Sequence, residues 1–66
     1  MTTREVFNRM PETVRNKLDN IRKDYKSKAL DTNAIRAELY GYTLGLRDAG
    51  LISERERQIL FVYGTV

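Results

Sequence analysis

TNAIRAELYGYTLGLRDAG, residues Thr32 to Gly50, carries the spacing of one amphipathic helix. Ile35, Leu39, Tyr42, Leu46 and Ala49 recur at steps of four and three, so they share one face. At 1.5 Å per residue, about 18 residues make a rod of roughly 27 Å. A second row, Ala37, Gly41, Gly45 and Ala49, repeats every fourth residue. Each helical glycine costs about 0.8–1 kcal/mol relative to alanine. Two of them therefore predict close packing against another helix that offsets the loss. Tyr40 and Leu44, flanked by Arg36 and Arg47, lie nearly opposite the first face. This helix has more than one surface to bury, and the rest of the chain is expected to pack around it.

Working backwards, Asp31, Thr32 and Asn33 all suit an N-cap, so the preceding break falls at Leu30–Asp31. Before it, Val14, Leu18, Ile21, Tyr25 and Ala29 give a core stripe on a helix from Pro11 to about Ala29. The stripe lasts about two heptads, short of the three that a coiled coil needs, so packing within its own domain is the reading. Pro11 suits the first position of a helix and disfavours α geometry at Met10. Upstream of that bend, Thr2 and Glu5 have capping-box spacing and open a short helix to about Arg9, with Val6, Phe7 and Met10 on its apolar side.

Working forwards, Gly50 fits a left-handed position after a helix end, and Leu51 and Ile52 pin a short connection. Ser53 and Glu56 form a second capping box, opening a helix from Glu54 to about Tyr63 that Gly64 ends. Its run Ile59-Leu60-Phe61-Val62-Tyr63 could also be a buried strand. The cap and the charged first turn favour helix, buried on several sides. The fold class is all-α: one domain over 1–66, a compact three-helix bundle with an additional short N-terminal helical turn, and a helical hairpin in the C-terminal half.

Sixty-six residues bury little core; a chain of this size hides only about 60% of its unfolded surface. There is no cysteine and no histidine, which removes disulfides and argues against zinc. Oligomerisation is the remaining aid, and a homodimer is expected. Its packing residues would be Ala37, Gly41 and Gly45 with Phe61. No run of about 18 apolar residues occurs, and the N-terminus lacks the apolar core of a secretory signal. A cytoplasmic protein with no cofactor is expected. Triads, thiol nucleophiles and phosphate-loop motifs are missing from the sequence, so we expect no enzyme. Asp19 is spaced to pair with Arg15 and Lys23, and Asp24 with Lys28.

Three surfaces remain as candidates. The first thirty residues carry eight Lys and Arg against four Asp and Glu, and the remaining thirty-six carry four against five. The positive charge, with a net total of +3 and a pI near 9.5, thus concentrates on the helix bearing Arg15, Arg22 and Lys26. A phosphate-contacting surface would be built this way. A helix-turn-helix over the last two helices would offer Arg55, Arg57 and Gln58 to bases, but it places Glu56 where an inward apolar residue belongs. The third surface is Arg36, Tyr40, Leu44 and Arg47, the composition of a protein-binding hot spot. The reading is a small regulatory or adaptor protein that binds another protein through a helical surface. The alternative is a small basic DNA- or RNA-binding regulator. Small size without catalytic groups also suits a phage or plasmid accessory protein.

Overall fold

Residues 2–28 and 31–66 are described in the computed structural model, and they form four α-helices: α1 (Thr3–Arg9), α2 (Glu12–Ser27), α3 (Thr32–Asp48) and α4 (Glu54–Gly64). No strand occurs among the described residues, so the apolar run near the C-terminus is helical. The caps account for the starts. Thr2 and Glu5 exchange both bonds of a capping box, as do Ser53 and Glu56, and the Asp31 side chain accepts from the Asn33 N–H. Each such cap contributes about 1 kcal/mol. Pro11 stands as the N-cap of α2.

The helix ends also have physical causes. Gly50 has φ +79°, which glycine adopts without steric cost. The Leu51 N–H reaches back to the Leu46 carbonyl and the Gly50 N–H to that of Arg47, closing α3. Lys28 ends α2 in the left-handed region at φ 54°, one residue before the expected limit at Ala29. Ala29 itself and the Leu30 side of the expected break lie outside the described residues. At the far end, Gly64 is the last residue of α4, one beyond the expected Tyr63, with Thr65 as the C-cap.

The core comprises Val6, Met10, Val14, Leu18, Ile21, Ile35, Leu39, Leu46, Ile52 and Leu60. Each of the four helices contributes, and the α3–α4 connection adds Ile52, whereas Leu51 points to solvent. α4 packs on all three other helices, and α2 packs on α3. The hub is therefore α4 rather than the longer α3. Its expected burial on every side is not observed: Leu60 is fully buried, while Val62 is 54% exposed. Thr43 is buried within α3, where its hydroxyl donates to the Leu39 carbonyl at 2.9 Å or that of Tyr40 at 3.1 Å.

Close approach is made by a glycine other than those in the α3 stripe. A Cβ on Gly64 would lie 2.5 Å from Leu39 Cδ2, so α4 approaches Leu39 of α3 more closely there than an alanine would permit without a shift of that side chain. Gly41 and Gly45 have no atom within 4 Å of the place where a Cβ would stand. Ala37, Gly41, Gly45 and Ala49 are all exposed. Among the described residues, then, nothing packs on the two glycines to offset their helical cost.

Candidate functional site

Tyr40 is half exposed and held in place from two sides. Phe61 of α4 meets it edge-on, with ring centroids 6.4 Å apart at 85°. The Arg57 guanidinium lies 5.1 Å from its ring centroid. Such a cation–π contact is worth about 0.5–1 kcal/mol at an exposed site. Arg36 sits 5.7 Å from the Phe61 ring and donates to the Tyr25 hydroxyl at 3.4 Å. Leu44 is half-buried one turn along α3. Arginine and aromatic groups thus alternate across the α3–α4 seam, and the open stripe of Ala37, Gly41 and Gly45 continues the same surface of α3 around the helix.

Arg47 does not frame Tyr40 in the way its spacing suggests. Its guanidinium is tied to Glu54 at 2.6 Å and Asp48 at 3.3 Å, which pushes its pKa up. Arg57 is only 8% exposed, and it binds Glu54 through both Nε and Nη2 at 2.8 Å. It was expected to reach bases; it is instead folded inward beneath Tyr40. Glu54 collects hydrogen bonds from Arg57, Gln58 and Arg47, which hold its carboxyl well below the usual carboxylate range. Phe61, expected in a dimer contact, is half-buried against Tyr40 within the chain.

Glu56 occupies the inward position that an apolar residue would fill in a helix-turn-helix, and it is 9% exposed. Its carboxylate accepts from the Ser53 N–H at 2.8 Å and pairs with Arg9 of α1. The position serves a cap and a staple to α1. Arg55 is exposed, as expected for a surface cation.

On α2, Arg15 and Arg22 are partly covered and Lys26 is exposed. The expected pairs of Asp19 with Arg15 and Lys23, and of Asp24 with Lys28, are not among the ion pairs of the described residues. Asp19 accepts instead from the Tyr63 hydroxyl at 2.6 Å, forty-four residues away. Burial and that carboxylate together raise the Tyr63 pKa. Lys17 reaches across to Glu38 at 3.2 Å, with Tyr42 under its ammonium at 5.9 Å. The Arg22 guanidinium lies 4.9 Å from the Tyr63 ring centroid. Tyr63 in turn stacks on Phe7, at 4.6 Å and 28°.

Sequence spacing missed these long-range partners because each joins separate helices. Arg4 went unnoticed for the same reason; it lines a cleft with Arg22 that only the docking of α1 creates. No protein-family model, curated protein or solved structure matches the chain.

Proposed function

We propose that this chain is a non-enzymatic regulatory or adaptor protein that binds another protein through the α3–α4 surface centred on Tyr40. In this reading α2, α3 and α4 form a bundle that presents the surface, and α1 buttresses α4. The observation carrying it is that Tyr40 is 50% exposed while Arg57, Phe61 and, through Phe61, Arg36 fix its surroundings. An aromatic anchor already ordered in the free state loses little entropy when a partner covers it. Arginine beside tyrosine is the pairing over-represented at binding hot spots. The neighbouring stripe of Ala37, Gly41 and Gly45 gives a low, smooth face on which a helix can lie closely, and self-association through it would make the protein a homodimer.

The test is affinity capture with wild-type and Tyr40→Ala chains side by side, after circular dichroism has established that both are helical. A partner retained by the wild type and lost by the variant supports the reading. Identical captured sets, or a variant that unfolds, would remove Tyr40 as a binding anchor. Gly45→Leu addresses the homodimer separately. It should lower the mass seen by light scattering if the stripe is the contact, and leave it unchanged if the contact lies elsewhere.

A further inference from the structure

On the opposite flank of α2 from Lys17, a cleft of about 290 Å³ opens where α1, α2 and α4 meet. Thr3, Arg4, Phe7, Arg22 and Tyr63 line it. Two of the five are arginines and none is acidic. Neither Arg4 nor Arg22 has a carboxylate partner among the ion pairs of the described residues. Arg22 Nε is buried and has no hydrogen-bond acceptor. A buried donor left unsatisfied is costly, so an acceptor that reached it would relieve that cost.

The floor of the cleft limits what that acceptor can be. Tyr63 already has Phe7 stacked on it and the Arg22 guanidinium over it. Little ring surface is left for a nucleobase to stack on. Arg4 offers an exposed guanidinium fork, Arg22 an Nε–H with no acceptor and Thr3 its hydroxyl, which suit a tetrahedral oxyanion better than a planar aromatic group. By helical geometry Arg15 and Lys26 lie on the same flank of α2 as Arg22, one on each side of it. From Arg15 to Lys26 the positive line runs for about 16 Å, longer than a lone anion needs.

We propose that the Arg4–Arg22 cleft binds a backbone phosphate of a nucleic-acid strand, with Arg15 and Lys26 meeting its neighbours. Recognition is then of phosphate and not of base, so binding is independent of sequence and sensitive to salt. Asp19 is the opposing charge: its carboxylate accepts from the hydroxyl of Tyr63, which lines the cleft. It weakens the site without filling it.

The experiment is fluorescence anisotropy of labelled mixed-sequence oligonucleotides, single- and double-stranded, over a range of salt. Arg4→Gln removes an exposed fork and should weaken binding about tenfold, lowering the salt slope by about one. Asp19→Asn keeps an acceptor for Tyr63 and removes the charge, so it should strengthen binding severalfold. Tyr40→Ala should leave binding unchanged, which separates this site from the protein-binding surface. Absence of binding at low salt would overturn the proposal, as would Arg4→Gln and Asp19→Asn variants that bind like the wild type. Binding of inorganic phosphate or a nucleoside monophosphate with no oligonucleotide binding would overturn it too, leaving a small-anion cleft.

Discussion

Replacing Gly41 and Gly45 by alanine asks whether α3 was shaped for this chain alone. Both glycines sit in the body of a 17-residue helix, and a Cβ at either would meet nothing within 4 Å. Neither has the positive φ that would strain an alanine. In the isolated chain each substitution therefore gains helix propensity and loses no contact, about 0.5–1 kcal/mol apiece. For a domain of this size each kcal/mol moves the melting temperature by about 4–8 °C. The double variant should melt roughly 5–15 °C higher, followed by circular dichroism at a concentration where light scattering finds monomer. Gly64→Ala is the counterpart. Its Cβ would press to 2.5 Å on Leu39 Cδ2, so the fully buried Leu39 side chain would have to shift. Overpacking of that kind costs about 1–3 kcal/mol, so this variant should melt lower. Association gives a second readout: if a second copy lies on the stripe, the double variant is more stable as a monomer and dimerises less. A double variant that melts lower as a monomer would refute the reasoning, since it would mean the stripe is packed within the chain.

Further outcomes follow from single groups. Tyr40→Ala should cost only about 1 kcal/mol and keep full helicity, because half the ring is already in water and it loses one cation–π and one edge contact; thermal melts decide this. Acid should destabilise the fold through Glu54. Its pKa is depressed in the folded state, chiefly by hydrogen bonds from Arg57, so its contribution is complete above the unfolded value of about 4.3 and is lost as pH falls further. Melting temperatures should hold between about pH 5 and 7 and drop below that range, and Glu54→Gln should flatten the acid limb. Lys28→Gly should raise stability by up to about 1 kcal/mol in denaturant titrations, since Lys28 ends α2 at φ 54°, where a Cβ is crowded.

What was legible in the sequence was local. Capping boxes need residues three apart, and both expected boxes formed at Thr2 and Ser53. Of the two faces set by helical period, Val14, Leu18, Ile21, Ile35, Leu39 and Leu46 are buried, Tyr25 and Tyr42 are half-buried, and Ala49, at the helix end, is exposed. Period alone could not say which helix becomes the hub. α4 has that role because Gly64 admits it to the core beside Leu39 and because Glu56 ties it to α1. The glycine stripe meets no other helix of the described residues. A stripe of small residues signals possible close approach without saying whether the second helix comes from the same chain. Arg57 and Arg36 illustrate the limit at the candidate site. Seen in sequence they are two cations among twelve. In space one lies under Tyr40 and the other over Phe61, and that arrangement appears only once the α3–α4 angle is set.

Charge is distributed differently over the two proposed surfaces. The acids of the C-terminal half outnumber its bases by five to four, and folding brings cations to four of them. Lys17 pairs with Glu38, Arg9 with Glu56, and Arg47 with both Asp48 and Glu54, the latter shared with Arg57. Those pairs lie mostly at the surface, where each contributes little to stability. Their larger effect is on the field. The carboxylates nearest the Tyr40 seam are paired with cations, and Arg36 there contacts the Tyr25 hydroxyl and the Phe61 ring. On α1 and α2, Arg4, Arg15, Arg22 and Lys26 keep no carboxylate partner among the ion pairs of the described residues. The unpaired part of the net charge of +3 thus gathers on the α1–α2 flank, which is the pattern the phosphate proposal rests on.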